Sequence, residues 1–194
     1  SNTSYTYSVP NDISTSVIKN SDDDYIASFN NVDIHEGTFL SKTFNVDTSL
    51  NQKFILDNSY VDTSTISVFI SGPSETGLGL EYSLVDNILN VNSTSEIYLL
   101  QEIQDEKYEL FFGDGLIGKK LENGTKITVF YIVTDGKEGN GASSFSFAGS
   151  IQKGSSITLL DETVSSTDAV TVVTNQSSQN GTDIEPISSI KYYA

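Results

Sequence analysis

Short stretches in which apolar side chains recur at every second position are found along much of the chain. Ile66, Val68 and Ile70 fall on one side of such a stretch, and residues 107–112 alternate in the same way. Successive side chains of a strand point to opposite faces, so both stretches are predicted to be half-buried β-strands. The run 127–133 is apolar at nearly every position, which predicts a central strand covered on both faces.

Turn-forming residues separate these and other predicted strands at short intervals. Further strands are predicted at 25–30, 37–46, 53–57, 79–84, 96–101, 156–160 and 169–174. Turns are predicted at Asn58, at Gly72 and Pro73, at Asp86 and Asn87, at Asn123 and Gly124, and across 135–141. No internal helix of ten or more residues is visible. This pattern predicts an all-β fold, either an antiparallel β-sandwich or a barrel-like domain with long loops.

The last residues follow a helical pattern instead. Thr182 or Asp183 can cap a helix in which isoleucine recurs at positions 184, 187 and 190. We therefore expect a short helix to start here. The predicted organisation is a linker or edge extension at 1–24, a β-rich signature domain at 25–148, a Ser/Thr-rich β appendage at 149–180, and the start of a following segment at 181–194.

The net charge of the chain limits the classes of partner that it is expected to bind. The 194 residues include ten lysines, no arginine and 26 carboxylates, which gives a formal net charge of -16. Such a chain would be repelled by a nucleic-acid backbone or by an anionic membrane, so we expect neither as a partner. There is no cysteine, and thus no disulfide and no thiolate metal site.

The segment FFGDGLIGKK at 111–120 contains the spacing G-x-G-x-x-G, which also occurs in nucleotide-binding loops. Those loops must open a helix whose free N–H groups hold the phosphate. Here a turn signal at 121–125 is followed directly by a strand, so a structural turn is predicted. We expect Gly113 and Gly115 to adopt backbone conformations closed to other residues and to turn the chain sharply between two antiparallel strands. The predicted motif comprises Phe112, Gly113, Asp114, Gly115, Gly118, Asn123 and Gly124.

Candidate chemistry beyond this motif is sparse. His35 is the only histidine, and the H-E pair that it starts lacks the second histidine of a zinc protease. No G-x-S-x-G segment is present. We therefore expect no enzymatic activity, no cofactor and no metal ion. Calcium binding at the aspartates 22–24 or at 135–140 is a weaker hypothesis, since neither segment has the alternating ligands of an EF-hand.

Three segments taken in order carry a family resemblance. FGDGLIGK at 112–119, GTKITVFY at 124–131 and DGKEGN at 135–140 together resemble a sequence signature of contractile-tail baseplate wedge proteins, the baseplate J-like family. The segments 35–46, 61–66 and 187–194 are similar to the large wedge subunit of T4-like phages. The resemblance extends over roughly residues 25 to 194.

What the resemblance implies is a structural role. It implies a scaffold in the tail baseplate of the virion, which binds other wedge proteins and copies of itself to build a ring that rearranges when the tail contracts. It implies no catalytic residue. Because the net charge opposes self-association, we expect the contacts to be apolar and the chain by itself to be mainly monomeric. The candidate assembly contacts are Ile187, Ile190, Tyr192 and Tyr193.

A secreted or virion-surface adhesin, a carbohydrate-binding β-sandwich module, is the alternative. N-x-S/T sequences start at residues 92, 123, 175 and 180. Sugar binding would also need exposed aromatic side chains that stack on sugar rings. Tyr5 and Tyr7 form one candidate pair, and Tyr192 and Tyr193 form the other.

Overall fold

The computed structural model describes residues 3–148, 151–153, 156–158 and 170–183. The chain divides into two units, one formed by Ser1–Gly136 together with Ile184–Ala194, and the other by Lys137–Asp183. The helix predicted to start near Asp183 lies outside the described residues. Within the described part of the chain, no helix is long and apolar enough to cross a membrane.

Strands dominate the first unit, in agreement with the predicted all-β fold. They are β1 Tyr7–Ser8, β2 Val17–Lys19, β3 Tyr25–Ala27, β4 His35–Glu36, β5 Thr38–Asn45, β6 Phe54–Leu56, β7 Val61–Ser71, β8 Leu80–Leu84, β9 Ile97–Ile103, β10 Lys107–Phe112 and β11 Lys126–Val133. A single 3-10 turn, Gln104–Glu106, connects β9 to β10. In the second unit, β12 Ile151–Lys153 pairs with β13 Ser156–Thr158.

Seven of these strands form one sheet in the order β5-β11-β7-β8-β9-β10-β6. Neighbouring strands are antiparallel except β8 and β9, which are parallel. The two edge strands approach each other: the Phe44 and Phe54 rings are 5.5 Å apart, and Lys42 Nζ donates a hydrogen bond of 2.8 Å to the Ile55 carbonyl. The sheet is thus a nearly closed barrel, which selects the barrel-like form of the predicted fold.

The core fills the inside of this barrel, and β11 supplies its centre. Ile127, Val129 and Tyr131 alternate along β11 and are all buried in the core. On the opposite face of the strand Ile132 is also fully buried, and its N–H donates to the Thr65 hydroxyl where the pairing with β7 shifts register. The prediction that 127–133 is a central strand covered on both faces is confirmed.

Two small sheets precede the barrel in the chain. β1 pairs with β4, so that Tyr7 lies opposite Glu36. β2 pairs with β3. The period-two pattern did not predict β2, because its three residues are too short a stretch to show alternation.

One predicted strand is wrong. Residues 170–174 of the predicted strand 169–174 are described, and they form no strand. Val170, Val172 and Val173 are all exposed. Their β-branched side chains favour extended backbone, but a strand is stable only when a neighbouring strand pairs with it and one of its faces is buried.

Removal of the Leu56 side chain from the short edge strand β6 should destabilise the barrel. Leu56 is 0% exposed, and Leu56→Ala is expected to lower the free energy of unfolding by about 2–5 kcal/mol because it leaves a cavity in the core. As a matched control, Leu89→Ala removes a side chain that is 85% exposed and should change stability by less than about 0.5 kcal/mol. Urea unfolding followed by circular dichroism measures both. Equal losses would contradict the placement of β6 on the core.

Candidate functional site

The segment that connects β10 to β11 contains the glycine motif, and it is a crossover loop. The expected sharp turn between two paired antiparallel strands is not what the structure shows, because β9, β8 and β7 lie between β10 and β11 in the sheet. β11 pairs along its whole length with β5, and this long-range pairing carries the chain away from β10. The loop also contributes to the core, since Leu121 is buried there.

Two glycines of the loop are required for different reasons. Gly115 has a φ of +94°, a conformation that residues with a side chain rarely adopt. Gly113 does not have a positive φ, but a Cβ on it would lie 2.1 Å from the carbonyl carbon of Gly118. The backbone segments around Gly113 and Gly118 therefore approach too closely for a side chain at position 113.

Asp114 holds the turn between these glycines. Its Oδ1 accepts hydrogen bonds from the backbone N–H groups of Leu116, at 2.8 Å, and Ile117, at 2.9 Å. The hydrogen bond from Ile117, followed by the one from Leu116, lowers the pKa of the Asp114 carboxyl, because both favour the ionised form. Asp114 thus has a structural role at the start of the loop.

The middle of the loop lies against the segment before β9. The N–H of Gly118 donates to the Asn92 carbonyl at 2.9 Å, and the N–H of Lys119 donates to the Ser95 carbonyl at 2.8 Å. Lys119 Nζ lies 2.8 Å from Glu96 Oε1, and this hydrogen bond raises the pKa of the lysine. These N–H groups already have partners within the protein and no helix follows them, so the loop lacks the features of a phosphate cradle.

The remaining motif residues fix the two ends of the loop. The ring of Phe112 packs edge-on against Phe54, with ring centres 5.6 Å apart. At the other end, Asn123 Oδ1 accepts a hydrogen bond from the N–H of Thr48, and the N–H of Gly124 donates to the Val46 carbonyl. The motif therefore ties the loop to β6 and to the end of β5.

The described residues offer little structural support for a catalytic or metal site. His35 Nδ1 lies 3.7 Å from Asp62 Oδ2, and Glu36 accepts hydrogen bonds from Thr134 and Asp135. Among the residues that the structure describes, no group of three or more His, Cys, Asp or Glu could hold a metal ion. Neither the aspartates 22–24 nor 135–140 therefore forms such a group, and the calcium hypothesis gains no support from carboxylate clustering.

Exposed apolar side chains are the feature that sequence analysis missed. The predicted contacts Ile187, Ile190, Tyr192 and Tyr193 lie outside the described residues. Large apolar side chains are instead exposed on the β2–β3 hairpin and on two loops; they include Val17, Ile18, Tyr25, Ile26, Leu89 and Leu116. The pairs 17–18 and 25–26 interrupt an otherwise polar segment, which was the available signal.

Comparison with known protein families identifies a similar domain. Residues 42–135 match the family described as the bacteriophage baseplate wedge protein gp6, third domain. The match supports a baseplate wedge subunit. It runs from within β5 to just beyond β11 and so includes nearly all of the barrel. No curated protein matches the chain significantly.

The match gives the barrel a biological setting. It places the protein in the tail baseplate of a phage virion, as a structural protein that interacts with other baseplate proteins. This agrees with the resemblance to baseplate wedge proteins carried by the segments around FGDG. The narrower assignment to the baseplate J-like family stays a prediction.

Substitution of Gly113 and Gly115 should distinguish the loss of stability caused by a steric clash from the loss caused by a positive φ. Gly113→Ala is expected to cost about 2–4 kcal/mol, since the new Cβ forces the backbone at Gly118 to move. Gly115→Ala should cost about 1–2 kcal/mol, because only the positive φ opposes it. Gly77→Ala is the matched control, since Gly77 has a φ of +95° and open space around it. Urea unfolding of the three variants tests this order, and a loss at Gly113 no larger than at Gly77 would contradict it.

The Asp114 turn should make stability depend on pH. The folded-state pKa of Asp114 lies below its ordinary value of 3.8, so its contribution is present above that value and is lost as the pH falls through the folded pKa. Asp114→Asn should therefore be less stable than wild type at pH 7, and the difference should shrink as the pH falls below 3.8. Urea unfolding at pH 7, 5 and 3 measures the difference. A difference that stays constant over this range would refute the role of the ionised carboxylate.

Proposed function

We propose that the protein is a non-enzymatic scaffold that holds neighbouring baseplate wedge subunits together during baseplate assembly and tail contraction. The observation that carries the proposal is the match of residues 42–135 to a baseplate wedge domain. Because this range includes nearly all of the barrel, the similarity concerns one folded body and not a short motif.

The construction of the barrel fits a scaffold. Its glycine motif, which in other folds marks a nucleotide site, is used here to seat a crossover loop against Asn92 and Ser95. The core is apolar and continuous, with Leu56, Val68 and Val129 fully buried. A rigid body of this kind can keep the same contact surfaces while the assembly around it rearranges.

Surface chemistry decides which contacts are favourable. A net charge of -16 repels another copy of the chain at long range. Contacts with copies of itself must therefore come from apolar groups, and the proposal assigns them to Ile187, Ile190, Tyr192 and Tyr193. In the same proposal the signature domain spans 25–148, between an extension at 1–24 and an appendage at 149–180.

The adhesin alternative has less support. Tyr5 and Tyr7 are half-buried, so they do not form an open stacking surface. Two of the asparagines that begin N-x-S/T sequences also have structural partners: Asn92 Oδ1 accepts hydrogen bonds from Thr94, and Asn123 Oδ1 accepts one from Thr48. Their sequence pattern is explained by turns.

Binding to purified wedge subunits tests the scaffold role. The chain is mixed in turn with each baseplate wedge protein of the same phage and analysed by sedimentation velocity. At least one mixture is expected to give a faster species of fixed stoichiometry, because a scaffold must bind its neighbours directly. As a control, a variant with Leu56→Ala, which weakens the barrel, should lose this species in proportion to its unfolded fraction.

The opposite result is also well defined. If no wedge protein forms a complex with the chain, while a glycan array reveals a defined sugar ligand, then the scaffold proposal is wrong and the adhesin alternative is supported.

A further inference from the structure

The β2–β3 hairpin stands apart from the barrel. β2 and β3 pair only with each other among the described strands, with Val17 opposite Ala27, Ile18 opposite Ile26, and Lys19 opposite Tyr25. All six residues are exposed. None of the six residues belongs to the buried core, so the hairpin is a two-stranded arm outside it.

Local hydrogen bonds define the shape of this arm. Asn20 Oδ1 accepts hydrogen bonds from the N–H groups of Asp22, at 3.0 Å, and Asp24, at 2.8 Å. The N–H of Asn20 donates to the Asp24 carbonyl, and at the base of the arm the Thr15 hydroxyl donates to the Ser28 carbonyl. The turn is thus specified by its own residues, although an isolated two-stranded hairpin is only marginally stable in water.

The two faces of the arm differ in chemistry. Directly paired residues share a face, so Ile18 and Ile26 lie on one face. Val17, Lys19, Tyr25 and Ala27 lie on the other, where Lys19 Nζ is 5.8 Å from the centre of the Tyr25 ring. The exposed fractions are 56% for Ile18 and 41% for Ile26. Large apolar side chains exposed together on one face mark a contact surface, so a partner is expected to cover the isoleucine face.

Charge at the tip decides between possible occupants. Asp22, Asp23 and Asp24 are consecutive, and Lys19 Nζ pairs only with Asp23, at 2.7 Å. Two tip carboxylates therefore lack a paired cation among the ion pairs of the described residues. A second copy of this chain would bring acid against acid, since each copy has a net charge of -16. A partner with lysine or arginine beside its apolar patch is complementary.

We propose that the isoleucine face of the β2–β3 arm packs against an apolar patch of a neighbouring baseplate wedge subunit, and that basic side chains border this patch. This rests on the proposed scaffold function and specifies one contact of it. Ile18 and Ile26 bury apolar area against this patch, while the tip aspartates meet its basic border.

Two variants of the full chain test the arm. Ile18→Ser with Ile26→Ser removes the apolar face, and Asp22→Asn, Asp23→Asn and Asp24→Asn neutralise the tip. The probes are the purified baseplate wedge subunits of the same phage, and affinity is measured by titration calorimetry at low and moderate salt. The isoleucine variant is expected to bind its partner at least tenfold more weakly at both salt concentrations. The tip variant should bind more weakly at low salt and lose most of the salt dependence.

Folding controls keep this test independent of stability. Leu116→Ser, on an exposed loop of the barrel, should bind as wild type does, and all variants should show wild-type urea unfolding of the barrel. Hydrogen exchange gives a second measurement: the amides of β2 and β3 should exchange quickly in the free chain and become protected in the complex.

Three outcomes would overturn the proposal. If wild type binds a wedge subunit and the isoleucine variant binds it within twofold, the arm is not the contact, while the scaffold function stands. If the isoleucine variant instead abolishes a self-dimer of the chain, the occupant is a second copy. If wild type binds no wedge subunit at all, this proposal and the scaffold function both fail.

Discussion

Burial of β11 between β5 and β7 is the constraint on which the rest of the structure depends. Ile127, Val129 and Ile132 are completely removed from solvent, although they lie on two faces of one strand. Such a strand must have neighbours on both edges and cover on both faces. The sheet meets this demand by curling until its edge strands β5 and β6 approach each other, where Phe44 and Phe54 pack.

The crossover loop follows from the same constraint. Since β11 is placed beside β5 and β7, the chain leaving β10 must travel to a distant position in the sheet. The loop is held by backbone hydrogen bonds to Asn92 and Ser95 and by the Asp114 turn, and it needs a glycine at 113 where two backbone segments nearly touch. A sequence that resembles a phosphate-binding loop is thus explained by packing of the backbone.

The barrel and the arm suit different parts of one structural role. The barrel contains the core and corresponds to the matched wedge domain. The β2–β3 arm has a locally defined turn, one exposed isoleucine face and an acidic tip. The arm thus adds a contact surface to a body whose own loops also expose apolar side chains, such as Leu89 and Leu116.

The sequence by itself determined the class of fold and most strand positions in the barrel, because alternation of side chains is a local property of the backbone. It also favoured a structural turn over a nucleotide site at 111–120, since the turn signal at 121–125 leaves no room for a helix. Strand order, the crossover at Gly113 to Thr125, and the exposure of Ile18 and Ile26 were decided only by the tertiary structure. The reason is physical: periodicity shows which residues prefer burial, whereas the strand that buries them is chosen by pairing between distant segments.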